Sequence, residues 1–248
     1  MKGMILAAGK GTRLRPLTDK IPKALLTIQD KSLLEYAINY LKHFGVNELI
    51  INVHHFADQI IDYLKEHDNF GIHIEISDER DELMDTGGGL KKASRFFNDD
   101  QPFILMAVDI ITNLDLLGMY YRHIKSNSLV TLAVKSRKST RNLLFNNDFQ
   151  LCGWRSNVTG ETRYVNGFEA YTHSIAFSGI HIIHPDIFGY MTEHGPFSII
   201  DLYLRLAETQ KISGFEHDNS VWMEFGRVNN IKVAEQSDEF QKAITFNK

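Results

Sequence analysis

From residue 3 to residue 134 the chain alternates short apolar runs with amphipathic stretches, and few folds accommodate that rhythm. Residues 3–8 are apolar and stop at a glycine-containing turn, as a buried strand feeding a loop does. A helix is predicted over 33–44, because Ser32 and Glu35 have capping-box spacing and Gly45 is placed to end it. Strand 49–53, helix 57–66 and the alternating strand 72–76 follow, then the apolar segment 103–108, a helix at 114–125 and a β-rich stretch at 129–134. This order predicts an α/β fold, a three-layer α/β/α, Rossmann-like arrangement around a mainly parallel sheet. Ligands of such a sheet gather at the carboxyl ends of its strands, so functional groups are expected after the first and fourth strands.

The second half reads differently. Strands are predicted at 143–145, 149–154 and 174–183, the first two joined by the polar turn Asn146-Asn147-Asp148, with a polar loop at 155–173. Helices at 185–191 and 198–209 and strands at 212–216 and 221–223 complete the pattern. Such a mixed β extension on a parallel core suits a substrate-side lid. The 248 residues, 43% hydrophobic and 23% charged, are enough for one large core. With no linker, low-complexity run or repeat, a single domain over 1–248 is expected, its halves meeting near residue 135.

The lone Cys152 has no intramolecular disulfide partner and is expected to be packed. The apolar stretch of the opening nine residues is too short for a signal or membrane span, so a soluble, cytoplasmic protein without a membrane partner is expected. A net charge of −4 argues against a broad nucleic-acid surface. Between Lys10 and Lys31, however, six cations (Lys10, Arg13, Arg15, Lys20, Lys23, Lys31) face only Asp19 and Asp30. A basic, glycine-rich opening on an acidic protein is suited to a small polyanion.

That opening is Gly9-Lys10-Gly11-Thr12-Arg13-Leu14-Arg15-Pro16, directly after the first strand. Glycines let backbone amides approach phosphate oxygens, and successive amides in such a turn form an anion-binding nest. A dinucleotide fingerprint is excluded because Leu14 stands where its third glycine belongs, and a P-loop because no Gly-Lys-Ser/Thr closes the segment. Kinase and NTPase motifs are likewise missing.

The run Leu6-Ala7-Ala8-Gly9-Lys10-Gly11-Thr12-Arg13-Leu14-Arg15-Pro16-Leu17-Thr18, followed by Pro22-Lys23-Ala24-Leu25, resembles the sugar-1-phosphate nucleotidyltransferases. Asp85-Thr86-Gly87-Gly88-Gly89, the strand ending at Asp109, and Phe177-Ser178-Gly179-Ile180 with His184-Pro185 extend the resemblance over most of the chain. It is greatest to the N-acetylmuramate-1-phosphate uridylyltransferase branch, with mannose-1-phosphate guanylyltransferases close behind. The resemblance implies a GT-A-like fold with a nucleotide-binding first half and a sugar-binding second half. It also implies a magnesium-dependent enzyme, monomeric or homodimeric, that makes an NDP-sugar and pyrophosphate from a nucleoside triphosphate and a sugar 1-phosphate.

The nucleophile of that reaction, a phosphate oxygen, is already anionic, so no general base is expected. The obstacle is repulsion between anions, which fixed cations and a metal ion relieve. Arg13, with a planar fork, is the candidate for the β- and γ-phosphates, and Lys23 for the α-phosphate and acceptor phosphate. By resemblance Leu6, Ala7, Ala8, Gly9, Gly11, Thr12, Glu82, Thr86 and Gly87 contact the nucleotide, the glycines of 85–89 permitting close approach of base and ribose. Glu79, Arg80 and Glu82 border the base, while Ser178, Gly179, Glu169 and Ser198 serve the sugar.

Asp109, an acid at the carboxyl edge of an apolar strand, is the candidate magnesium ligand. Glu224 stands at the family's second metal carboxylate, within Trp222-Met223-Glu224-Phe225-Gly226-Arg227 in place of Trp-x-Asp-x-Gly-Thr. The Glu-Lys-Pro sugar motif of many relatives is missing, leaving Arg155 or Arg163 to supply its cation. Those departures also leave open a regulatory module that binds nucleotide without turnover. The adjacent pair His54-His55 is read as structural, because neighbours on a strand end point apart.

Overall fold

The computed structural model describes residues 1–168, 170–234 and 237–245. Its first half holds β1 (Lys2–Leu6), β2 (Thr27–Ile28), β3 (Lys31–Ser32), α1 (Leu33–His43), β4 (Glu48–Val53) and α2 (Ala57–Glu66). β5 (His73–Asp78), α3 (Asp85–Lys92), β6 (Phe103–Ala107), β7 (Ile110–Thr112), α4 (Leu116–Ser126) and β8 (Val130–Lys135) follow. The second half contains β9 (Arg141–Phe145), β10 (Leu151–Ser156), β11 (Thr162–Tyr164), β12 (His173–Ile183), α5 (Ile187–Tyr190) and α6 (Ile199–Leu206). β13 (Ile212–Glu216), β14 (Trp222–Glu224), α7 (Val228–Ala234) and α8 (Asp238–Ile244) complete it.

β5, β4, β1 and β6 lie side by side and parallel, as strand–helix alternation demands. β12 joins the free edge of β6 antiparallel, and β8 and β9 pair with different parts of this long strand. β13 adds parallel to β8, while β10 and β11 continue from β9 as an antiparallel ribbon. The sheet is thus a parallel α/β core carrying a mixed β extension.

Because successive strand residues face opposite ways, each central strand feeds two cores. Ile5, Ile51, Ile104 and Met106 pack with Leu34, Ile38, Ile60 and Met119 from α1, α2 and α4. Met4, Ile50, Phe103 and Leu105 pack on the other face with Leu90, Leu202 and Tyr203 from α3 and α6. α1 shows why these helices form where they do. The Ser32 hydroxyl accepts from the Glu35 amide at 2.9 Å, Leu34, Ala37, Ile38 and Leu41 recur on one buried face, and Gly45 leaves at φ 84°. Burying each large side chain contributes roughly 2 kcal/mol, and losing the cap would remove about 1 kcal/mol.

Two parts of the second half depart from the sequence reading. Within the expected loop 155–173, β11 pairs with β10, Trp154 opposite Arg163. The turn between them carries Gly160 at φ 76°, a hairpin signal lying in an otherwise polar stretch. α7 and α8 were not anticipated, because each is short; their stability comes from a third core in which Ile231, Ala234, Phe240 and Ala243 meet Leu14, Leu26, Ile111 and Phe225. That core fastens the end of the described chain to the glycine-rich turn after β1. No helix among the described residues is long and apolar enough to cross a membrane.

Candidate active site

β1 delivers Ala7 and Ala8, both 5% exposed, to the carboxyl edge of the sheet. The chain then turns through Gly11 at φ 62°, where a Cβ would also lie 3.0 Å from the Thr18 methyl. Leu14 closes the turn, donating its amide to Gly11 O at 2.8 Å while its side chain sits in the third core. Thr18 Oγ1 donates to the same carbonyl at 2.9 Å. The backbone N–H groups of Gly9, Lys10 and Gly11 have no hydrogen-bond partner among the described residues, the condition of an anion nest.

Four charged side chains from four segments meet beside this turn. Lys23, held by a short helical turn whose Ala24 is fully buried, makes a direct ion pair with Asp109, the two side chains being 12% and 14% exposed. Asp109 leads from β6 into β7, which pairs with β14 so that Glu224 lies opposite Ile110. The Phe225 amide donates to Asp109 O at 2.9 Å, tying the two carboxylate-bearing segments together. Glu224 in turn faces Arg13 at 3.7 Å in a more open position. Gly226 leaves room for this pair, because a Cβ would stand 2.4 Å from Glu224 Oε1 and 3.2 Å from an Arg13 nitrogen and both side-chain ends would have to shift. Each candidate phosphate cation is therefore paired with a candidate metal carboxylate.

A cavity of about 400 Å³ opens between Leu6–Gly9 and the start of α3, with Lys23 and Asp109 on its wall. Its polar end is a buried relay of Glu79, which the sequence reading placed beside the base, and Asn52, which it missed. Asn52 Oδ1 accepts from the Ala7 amide at 2.7 Å, and Asn52 Nδ2 donates to Glu79 Oε1 at 2.8 Å. Glu79 is fully buried, and its other oxygen accepts from the Met84 amide at 3.1 Å. Asparagine inside the apolar strand Leu-Ile-Ile-Asn-Val was the available signal. Of the other acids and bases in this segment, Glu82 is exposed and outside the cavity lining, and Arg80 is spent on Asp78 and Asp58. His54 is turned to Glu79 O at 2.7 Å.

The glycines of 85–89 serve the protein's own packing. A Cβ on Gly87 would lie 2.4 Å from the Phe197 ring, one on Gly88 2.7 Å from Gly195 O, and one on Gly89 2.8 Å from Glu79 Oε1. Asp85 and Thr86 are the residues of this run that line the cavity, and both also line a second, polar cavity of about 660 Å³. Thr86 Oγ1 accepts from the Ile199 amide at 3.0 Å, coupling α3 to α6.

The second cavity lies under the β extension, among Arg141, Asn142, Trp154, Arg163, Ser198 and Asp201. Ser198 lines it while its hydroxyl caps α6. Arg163 stands 4.6 Å over the Trp154 ring and pairs with Asp201 at 2.8 Å, whereas Arg155 donates to the Tyr171 hydroxyl at 3.0 Å. Ser178 is fully buried, its hydroxyl 2.8 Å from His217 Nε2, and lies outside both cavity linings. Burial pushes the His217 imidazole down to about 4, so it is neutral near pH 7. Gly179, at φ 76°, sits where the pairing of β12 with β8 shifts register. Glu169 lies outside the described residues. Cys152 is buried, with its thiol pushed up to about 11 by desolvation, and is inert.

Among the described residues no three or more His, Cys, Asp or Glu side chains gather as a metal cage. Asp109 and Glu224 each already face a cation. Two carboxylates without a third protein donor suit magnesium, which keeps waters and completes its octahedron with substrate phosphates.

Residues 2–143 match the family model described as nucleotidyl transferase. An N-acetylmuramate alpha-1-phosphate uridylyltransferase of Neisseria meningitidis serogroup B is 32% identical over 238 residues, 95% of this chain and 97% of that protein. A mannose-1-phosphate guanyltransferase of Yarrowia lipolytica is 27% identical over 231 residues, 92% of this chain and 61% of that protein. The solved inositol-1-phosphate CTP transferase of T. maritima has the same fold, with a TM-score of 0.75 at 14% identity over 98% of this chain and 94% of that one.

Proposed function

The chain belongs to the nucleotidyl transferase family, and from that footing we propose that it joins a nucleoside triphosphate to a sugar 1-phosphate and releases pyrophosphate. UTP is the favoured nucleotide and N-acetylmuramate 1-phosphate, or a related amino sugar, the favoured acceptor; the end-to-end similarity to a uridylyltransferase supports both choices. The observation that carries the reading is the pairing of Lys23 with Asp109 on the wall of one cavity that adjoins another, with the Arg13–Glu224 pair tied to it through the Phe225 amide on Asp109 O.

In this reading the smaller cavity takes the base and ribose, with Ala7, Ala8 and Thr86 against them and the Asn52–Glu79 relay fixing the wall. The amides of Gly9, Lys10 and Gly11 and the Arg13 fork hold the β- and γ-phosphates. Lys23 leaves Asp109 for the α-phosphate, where a compact ammonium offsets the charge of the approaching anion. Asp109 and Glu224 hold magnesium, which when bound neutralises charge on the triphosphate and departing pyrophosphate. An acceptor phosphate oxygen forms the new bond to the α-phosphorus as the bond to the β-phosphate oxygen breaks, and no proton transfer is needed. Withdrawal of either cation removes on the order of 3 kcal/mol of transition-state stabilisation, about a hundredfold in rate.

The test is magnesium-dependent pyrophosphate release over a panel of nucleoside triphosphates and sugar 1-phosphates, with Lys23→Ala and Asp109→Ala alongside. Turnover is expected with UTP and amino-sugar phosphates and is lost in both variants, which stay folded. Preference for GTP with a mannose or heptose phosphate would favour the guanylyl reading, for which the Yarrowia relative is the motive. No pyrophosphate from any pair, or undiminished turnover in both variants, would end the proposal.

A further inference from the structure

One cation beside the two cavities is unaccounted for by the glycine-rich turn, the ion pairs or the cavity walls. Arg137 follows β8, and its Cζ lies 3.9 Å from the centroid of the Trp222 ring. Its Nη2 donates to Phe177 O at 2.7 Å and its Nη1 to Lys138 O at a long 3.4 Å, while its Nε is buried and has no partner. Among the described residues no carboxylate lies within 4.0 Å of it. Trp222 is itself fixed, its indole N–H donating to Ser178 O at 2.8 Å.

The position of that stack is set by strand periodicity. Trp222 and Glu224 are two apart in β14, so their side chains share one face. Arg137, over the Trp222 ring, therefore stands on the side that carries the Glu224 carboxylate and the Arg13 guanidinium facing it. Its other flank is the second cavity, which Phe177 and Ser139 line. Burial draws the Arg137 pKa down and Glu224 draws it back up, and an arginine remains charged at either. The two cations that sequence reasoning offered for the missing Glu-Lys-Pro lysine are engaged elsewhere, Arg155 with Tyr171 and Arg163 with Asp201 and Trp154.

We infer that Arg137 binds the phosphate of the acceptor, presenting its planar fork to two oxygens of the sugar 1-phosphate and leaving the third to attack. The indole holds the guanidinium flat and desolvated, which strengthens its attraction to a dianion. This rests on the proposed function, because it needs a sugar 1-phosphate to pass between the polar cavity and the metal carboxylates.

The experiment compares wild type with Arg137→Met, which keeps an apolar stem on Trp222, and Arg137→Lys, which keeps the charge without the fork. Pyrophosphate release is measured as sugar 1-phosphate and nucleotide are varied separately, and nucleotide Kd is taken by calorimetry. In Arg137→Met, kcat/KM for the sugar 1-phosphate is expected to fall about a hundredfold, while nucleotide Kd stays within about twofold. Arg137→Lys is expected to recover part of the loss. Should the methionine variant fail to fold, the lysine variant must still show the selective rise in sugar-phosphate KM. An unchanged sugar-phosphate kcat/KM, a nucleotide Kd weakened as much as the acceptor KM, or a larger acceptor loss in Arg155→Met would overturn the assignment. Wild-type protein inert toward every substrate pair would count against the proposed function instead.

Discussion

Replacing Lys23 with methionine is expected to move two ligands in opposite directions. The Lys23 ammonium neutralises Asp109 in a pair whose side chains are 12% and 14% exposed, while Arg13 faces Glu224. In the proposed reaction each cation exchanges its carboxylate for a phosphate and each carboxylate exchanges its cation for magnesium. Charge is conserved in that exchange only when metal and nucleotide arrive together. A divalent ion binding alone must displace the ammonium and leave it unpaired in a largely buried place. Separating a buried pair costs about 3–5 kcal/mol, and with this residual exposure the lower end, about 3 kcal/mol, applies. That corresponds to about a hundredfold in affinity.

Lys23→Met removes the competitor, so manganese, used as a paramagnetic reporter for magnesium, is expected to bind the nucleotide-free variant about a hundredfold tighter than wild type. Nucleotide measured without divalent ions is expected to bind more weakly, having lost a phosphate contact. Electron paramagnetic resonance of free manganese gives the first affinity, calorimetry the second, and a thermal melt checks the fold. A folded variant whose manganese affinity is equal to or weaker than wild type would refute the reasoning, because it would show that Lys23 and the metal do not compete for Asp109.

Three further outcomes are expected. Gly87→Ala drives a methyl into the Phe197 ring, whose nearest atom is 2.4 Å from the new carbon, so stability measured by urea titration should fall by about 1–3 kcal/mol. Asn52→Ala leaves the Ala7 amide and a Glu79 oxygen without their partner, so a loss of about 2 kcal/mol in the same titration and weaker nucleotide binding are expected. Acid should also destabilise the fold: burial lowers His123 and His217 to about 4 and His181 to about 3, against an ordinary value near 6.5. The unfolded chain takes up these protons first, so stability is complete above about pH 6.5 and declines from there towards pH 4. At pH 5.5 each imidazole opposes folding by about 1 kcal/mol, which lowers the melting temperature by roughly 10 °C in all; a flat profile between pH 7.5 and 5.5 would contradict this.

The parallel half of the fold was legible because its signals are local. The Ser32 cap, the Gly45 exit and the buried stripe of α1 sit within a dozen or so residues of one another, and strand 49–53 announces itself by composition. β11 was hidden because Thr162–Tyr164 leaves its side chains half-buried or exposed, Tyr164 included, and its pairing is set by the turn at Gly160. α8 was hidden because Phe240 and Ala243 acquire meaning only when Leu14 and Ile111 arrive from far along the chain.

The candidate site divides in the same way. Arg13, Lys23 and Asp109 stand in runs whose residue types already declare a phosphate and a cation. The glycines at 87–89 looked like room for a base, yet three-dimensional neighbours give them another task, close contact with Phe197, Gly195 and Glu79. Ser178 looked available, yet its hydroxyl is paired with His217, a partner distant in sequence. Asn52 and Arg137 were passed over because a single polar residue in an apolar strand, or one arginine among several, acquires significance only from what it touches.

Thr86 belongs to both hollows, so they are adjoining rooms with a common doorpost. A single molecule carrying a flat heterocycle at one end and a polyhydroxylated ring at the other, on a short tether, can furnish both at once. Its second end then docks intramolecularly, where an effective concentration in the millimolar range for a short flexible linker replaces that of a free ligand. Such two-headed compounds should outcompete either half, with a tether length that reports the span of the doorway.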